Sequence, residues 1–241
     1  MFSSIDQKKQ QLDSKRPFPI HTLKTIREHL IVNWTYNSNA IEGNTLTLSE
    51  TKVVLEGITV GGKTISEHLE ALNHREAILY IEAIVKQNQT LTEWQIKSIH
   101  SLILKGIHDD QAGIYRTENV PISGTRHLPP DYSQVPDLMA QFTQWLEGEG
   151  VNLHPVARAA AVHSEFVNIH PFVDGNGRTA RLLLNFELMK NGYPPIVIEK
   201  EQRLAYYTAL DEAHTTGDFS RFISFVIPNV DRTFDWYLEL L

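Results

Sequence analysis

The sequence predicts a mainly α-helical fold interrupted by one small β-hairpin. Three observations carry this. Apolar residues recur at helical spacing through most of the chain, start and stop signals bracket those runs, and a stretch rich in glycine, proline and β-branched residues breaks the pattern at 113–130.

Helical patterns cover about 20–42, 49–57, 65–87, 92–105, 136–147, 156–168, 178–190, 201–214 and 219–240. In the first, Leu23, Ile26, Leu30 and Trp34 repeat along one face, and Gly43 supplies a C-terminal stop. Thr92 followed by Gln95 reads as a capping box, and Pro136 as a helix-start proline. Val156, Ala160, His163, Val167 and Ile169 form the next face, which Pro171 ends by disfavouring helix at His170. Leu182, Leu183, Phe186 and Met189 mark the following helix, closed by Asn191-Gly192 and Pro194-Pro195. Pro228 is expected to kink or split the last segment. A chain of 241 residues can bury a substantial core, and no internal repeat, low-complexity tract or long polar linker interrupts it. The organisation expected is an N-terminal helical region, 1–89, preceding a core at 90–241.

Composition narrows the partners. A formal net charge of −7 and the lack of a basic stripe argue against general nucleic-acid binding. With no cysteine there is no disulfide frame, thiolate nucleophile or usual structural zinc cluster. No apolar run approaches the length of a membrane span, and the N-terminus lacks a signal-peptide core, so the expectation is a cytoplasmic protein with no membrane partner. His154, His163 and His170 invite a metallohydrolase reading, but the compact motifs such a site uses are missing.

The densest chemistry lies in His170-Pro171-Phe172-Val173-Asp174-Gly175-Asn176-Gly177-Arg178-Thr179-Ala180-Arg181. Gly175-Asn176-Gly177 falls at or just before a helix N-terminus, where unpaired N–H groups and the positive end of the macrodipole suit an anion. Arg178 and Arg181 are three apart and reach one face of the first turn, although the macrodipole disfavours cations there, so they call for a negative partner. Alone, each residue has an ordinary structural reading. Together they describe a phosphate-handling site.

The string also matches the signature H-P-F-x-D-G-N-G-R-x-x-R, and the chain is identified by it as resembling the Fic family. The resemblance implies a Fic-type helical bundle with a β-hairpin flap, and an adenylyltransferase that moves AMP from ATP to a Ser, Thr or Tyr hydroxyl. By that likeness His170 is the general base, Asp174 the Mg²⁺ ligand, and Asn176 with the Gly175 and Gly177 amides the α/β-phosphate cradle. Arg178 would hold the β-phosphate and Arg181 the γ-phosphate. The chemistry asks for these types, since a hydroxyl needs a positioned base, and charge developing on phosphoryl oxygens needs cations and amides.

Upstream, Ser38-Asn39-Ala40-Ile41-Glu42-Gly43 places Ser38 and Glu42 on one face of a closing helix turn. It resembles the family's inhibitory motif [S/T]-x-x-x-E-[G/N], which implies that Glu42 pairs with Arg181 and takes the γ-phosphate's place; AMP removal from modified targets is a further activity of some relatives. The 113–130 segment resembles the Fic flap, which pairs with an extended target segment by strand addition, Val120 and Ile122 being alternative side chains to pin it. Tyr206, Tyr207 and His214 are candidates to enclose adenine, and the tyrosines read equally as packing residues. The expected partner is a protein target docked on the flap, or the chain itself, with a homodimer in view. Two alternatives stand beside this: a Fic relative using another phosphate donor, and a nucleotide-binding interaction protein without transfer.

Overall fold

A computed structural model of the chain describes residues 1–122 and 125–241. Among these residues the elements in chain order are α1 (Ser3–Ser14), α2 (Ile20–Ile41), α3 (Leu48–Leu55), α4 (Ile65–Lys86), α5 (Glu93–Leu104), α6 (Val135–Glu147), α7 (Pro155–Ile169), α8 (Asn176–Lys190), α9 (Arg203–Thr216) and α10 (Ser220–Leu240). The capping signals act as read. Thr92 and Gln95 close a capping box at α5, with parallel boxes at Thr47–Glu50 and Thr64–Glu67.

Helix α8 lies at the centre, packed along α7 and buried on all sides from Arg178 to Leu188. A helix buried all round must pair most of the polar groups it carries. Glu187 does so with Arg158 of α7 at 2.6 Å, and Asn185 both donates to and accepts from the Ile196 backbone. One core fills the side of α7–α8 that faces α4, α5 and α6, around Ile81, Ile99, Met139, Phe166, Phe172 and Phe186. A second lies between the opposite side and α1, α9 and α10, around Ile5, Val156, Leu184, Phe222, Val226 and Phe234. Each phenylalanine so enclosed contributes roughly 2–3 kcal/mol of burial. The α7–α8 junction, where the chemistry-rich string sits, is therefore held from both sides.

Three expectations are corrected. Helix α1 has no counterpart in the sequence reading, because only Ile5 and Leu12 of its twelve residues are buried, too few to set a period. It is fastened to α10 instead by Lys8, which pairs with Asp231 at 2.8 Å and Asp235 at 2.6 Å. Pro228 does not split the last segment, since α10 runs unbroken from Ser220 to Leu240. Phe222 and Val226 before the proline and Val230 and Phe234 after it bury into the same core, which outweighs one missing backbone bond. The hairpin tip, Ser123-Gly124, lies outside the described residues, and the described part of 113–130 forms no strand. Pro121, Pro129 and Pro130 lack the N–H a ladder needs, and Arg116 takes the carbonyls of Glu118 and Pro130 as its own acceptors.

Candidate active site

Helix α7 ends at Ile169, and His170 adopts a left-handed conformation, φ 50° and ψ 58°. The helix stops where Pro171 disfavours its continuation. The left-handed turn is costly for a residue with a β-carbon and turns the chain sharply into the 171–175 loop. Phe172 anchors that loop in the core, stacked 3.6 Å from the His100 ring. Asn176 staples it: its side chain accepts from Phe172 N at 3.0 Å and donates to Phe172 O at 2.8 Å. The Asn176 amide is thereby spent on the loop, which leaves the backbone N–H groups at the start of α8 for an anion.

Gly175 caps α8 at φ 75°, and a β-carbon there would press on His100 and Ile103. Gly177 answers a different need. A β-carbon at Gly177 would overlap the Glu42 carboxylate and come within 3.1 Å of Arg181 Nη1. A carboxylate from the end of α2 thus rests over the first turn of α8, in the position that the helix terminus prepares for an anion.

Arg181 lies beneath it, 3% exposed. It donates from Nη2 to Glu42 Oε1 and to the Ser38 carbonyl, each at 2.7 Å, from Nε to Ser38 Oγ at 3.0 Å, and from Nη1 to the Tyr206 hydroxyl at 3.3 Å. Burial alone would weaken the guanidinium's hold on its proton, but Glu42 and the Tyr206 oxygen reverse this and raise its pKa. Arg178 is equally buried and sits between Glu70 (3.3 Å) and Asp174 (3.1 Å), with its Nε unpartnered among the described residues. The Asp174 carboxylate is half exposed and accepts from Gly175 N at 2.6 Å.

These groups open on a cavity of about 860 Å³ lined by Glu42, Ile122, His170, Asp174, Gly175, Asn176, Gly177, Tyr206, Tyr207 and His214. Ser38, Arg178 and Arg181 are buried and do not line it, and neither does Val120. The His170 imidazole is held down at about 4 by burial and by the Arg116 guanidinium, against the opposing pull of the Val167 carbonyl and Glu42. It is neutral at physiological pH and available to accept a proton. Tyr206 is buried, with its hydroxyl 2.9 Å from His163 Nε2, whereas Tyr207 is partly exposed toward the cavity. His214 Nε2 bonds the Ser164 carbonyl at 2.9 Å.

Several residues that shape the site were not singled out in the sequence. Arg116 donates to the His170 carbonyl at 2.9 Å while its own amide donates to Pro171 O at 2.9 Å, tying one arm of the 113–130 segment to the loop after α7. Asp211 on α9 accepts from Thr125 Oγ1, Arg126 N (2.8 Å), Arg126 Nε (2.9 Å) and His127 N (3.2 Å), tying down the other arm. His100 pairs its Nε2 with Asp174 O at 2.8 Å and accepts from Gly113 N at 2.9 Å. The signal for His100 was present, a histidine on the apolar face of a capped helix. Arg116 and Asp211 act across long sequence separations that no local pattern encodes.

A histidine at a strained helix end, a glycine-bracketed anion cradle and two buried arginines on the next helix define the class: the chain belongs to the Fic/DOC family, whose profile matches residues 90–188. A relative from Drosophila mojavensis, Protein adenylyltransferase Fic, is 40% identical over 242 residues, covering 98% of this chain and 47% of that protein. The chain spans about half the length of the curated relatives it matches. Among solved structures, a Fic domain containing signaling protein from Bacteroides thetaiotaomicron superposes with a TM-score of 0.90 at 30% identity, covering 99% of this chain and 97% of that one. Fic-1 (residues 134–508 of that protein) from C. elegans superposes at 0.89 and 29% identity, covering 98% of this chain and 70% of that one.

Proposed function

We propose that this protein is a protein adenylyltransferase held in check by its own Glu42. The observation that carries the reading is the Glu42 carboxylate lying over Gly177 and bonded to buried Arg181, an anion occupying an anion cradle beside a neutral histidine. The name protein adenylyltransferase, borne by relatives at about 40% identity, supports the same conclusion. Residues 90–241 would then be the catalytic core and 1–89 the regulatory region.

In the proposed reaction a target Ser, Thr or Tyr oxygen attacks the α-phosphorus of ATP. The bond from that phosphorus to the α–β bridging oxygen breaks, pyrophosphate leaves, and the hydroxyl proton passes to His170. A base of pKa about 4 is unprotonated but weak, and the negative triphosphate beside it would raise its proton affinity during attack. Backbone amides at the start of α8 hold the phosphates, with Arg178 on the β- and Arg181 on the γ-phosphate. Tyr207 and His214 face the space left for adenine.

Asp174 suits Mg²⁺: it is a hard, half-exposed oxygen donor at the cavity rim. Among the described residues no cluster of three or more His, Asp or Glu could hold an ion, so the phosphates and water would complete the shell. When bound, Mg²⁺ supplies charge neutralisation on the phosphates. The 113–130 segment, fixed at both ends by Arg116 and Asp211, would present its backbone to an extended target, with Ile122 directed at the cavity. The target is a protein or a second copy of this chain, and Glu42 also stands where it could orient water for AMP removal.

The test is incubation of wild type, Glu42→Gly and Glu42→Gly/His170→Ala with α-³²P-ATP and Mg²⁺, with mass spectrometry for AMP addition. Label is expected with Glu42→Gly and not with the double variant. A folded Glu42→Gly protein that binds ATP yet leaves itself and host lysate unlabelled would overturn the assignment.

A further inference from the structure

Arg181 has four hydrogen bonds, and their origins divide unequally. Three acceptors, Ser38 Oγ, Ser38 O and Glu42 Oε1, belong to α2 and its terminal cap, the element that carries the inhibitory motif. The fourth, the Tyr206 hydroxyl at 3.3 Å, comes from α9. Tyr206 is 1% exposed, and its ring also lies 5.8 Å from the guanidinium carbon. Its hydroxyl accepts from a cation on one side, so its own proton is directed to the other, where His163 Nε2 waits at 2.9 Å.

His163 is suited to that task. It is fully buried on α7, stacked on Phe222 at 4.8 Å, and kept neutral by burial and by Arg181. Its Nδ1 has no partner among the described residues. An apolar side chain of similar size would avoid that orphan group, so the imidazole at this position costs stability that packing does not require. The nucleotide reaction as described above makes no use of either residue.

We infer that His163 and Tyr206 form a buried positioning pair that fixes Arg181 from the side opposite the inhibitory helix, and so sets the preference of the site for a nucleoside triphosphate over a diphosphate. When Glu42 leaves, Arg181 keeps its position through Ser38 and Tyr206, and its freed Nη2 donor meets the terminal phosphate. Tyr206 thereby belongs to the phosphate end of the cavity, and Tyr207, its exposed neighbour, to the base end. The inference rests on the proposed contact between Arg181 and the γ-phosphate.

The test uses Glu42→Gly/His170→Ala as the parent, which removes both inhibition and turnover, and calorimetric titration with ATP and with ADP in Mg²⁺. Adding Tyr206→Phe deletes one oxygen and keeps the ring. ATP affinity is expected to fall about tenfold, the worth of one hydrogen bond to a charged group, while ADP affinity stays within about twofold. His163→Leu, which leaves Tyr206 in place without its acceptor, is expected to weaken ATP in the same selective way, and His163→Gln to restore part of the loss. A folded Tyr206→Phe protein that keeps the parent's ATP-to-ADP ratio overturns the inference, as does equal weakening of both nucleotides, which would place the ring against the base. A parent that itself binds ATP no tighter than ADP overturns the γ-phosphate assignment of Arg181, and this inference with it.

Discussion

Replacing Glu42 with Gln tests the switch without any enzymology. The substitution keeps shape and one acceptor but removes the charge that compensates Arg181, a guanidinium 3% exposed at 2.7 Å from the carboxylate. Breaking a fully buried ion pair costs about 3–5 kcal/mol, chiefly because the surviving charge is stranded. Here the Glu42 side chain is 31% exposed, and Arg181 retains Ser38 and Tyr206, so the expected loss is about 2 kcal/mol. In a domain of this size that lowers Tm by about 4–8 °C. ATP should then stabilise the variant more than wild type, since the phosphate supplies the missing charge, and ligand at a hundred times Kd adds about 2.7 kcal/mol. Thermal unfolding of both proteins with and without Mg²⁺-ATP, in a His170→Ala background, measures the two effects together. An unchanged Tm in Glu42→Gln, combined with equal ATP-induced shifts in both proteins, would falsify the idea that Glu42 and phosphate compete for one cation.

Other expectations follow from the same geometry. Gly177→Ala places a methyl group where the Glu42 carboxylate rests, so Tm should fall by about 2 kcal/mol equivalent, and in a Glu42→Gly background most of that fall should vanish; a full fall in both backgrounds would point to α8 itself. Asp211→Ala frees the arm held through Thr125, Arg126 and His127, and trypsin cleavage after Arg126 should accelerate at least severalfold with ATP affinity unchanged; unaltered cleavage would mean the clamp is not what holds the segment. His100, His170 and His214 are each depressed by burial to about 4, against about 6.5 when unfolded. The unfolded chain therefore binds more protons between these values, stability is complete above about pH 6.5, and it is lost as pH falls toward 4. Urea midpoints at pH 7.5 and 5.0 should show the decline, and equal midpoints would show that the rings are not held neutral.

The parts of this molecule that were legible in the sequence are those encoded locally. The capping box at Thr92, the stop before His170 and the apolar face of α8 each involve residues within a few positions of one another, and the structure has them where the pattern put them. The contact between Glu42 and Arg181 spans 139 positions, and only the family likeness, not periodicity, joined its two ends beforehand. Helix α1 escaped because a helix with two buried apolar residues, held otherwise by polar contacts such as those of Lys8 and Asp6, leaves almost no period to read. The hairpin expected over 113–130 has no strand among the described residues for a related reason. Its composition favours strand, but Arg116 and Asp211, both acting at a distance, determine where its backbone groups go.

The pairing of Glu42 with Gly177 explains how one short helix terminus serves two masters. A phosphate cradle must offer bare amides and a nearby cation, and a glycine at the second position of the helix gives the approach a close-packed oxygen needs. Those properties are indifferent to whether the oxygen belongs to a nucleotide or to a glutamate tethered to the same protein. Under the proposed reading Glu42 competes intramolecularly, and an opening cost of about 2 kcal/mol would leave roughly one molecule in thirty open at any moment. Nucleotide that needs the open form would then bind about thirtyfold more weakly than the site allows. A contact of that size would hold back the proposed transfer at rest without abolishing nucleotide binding. It would also be weak enough for rotation of the Glu42 side chain alone to release it, because Ser38 and Tyr206 would still hold Arg181 in place.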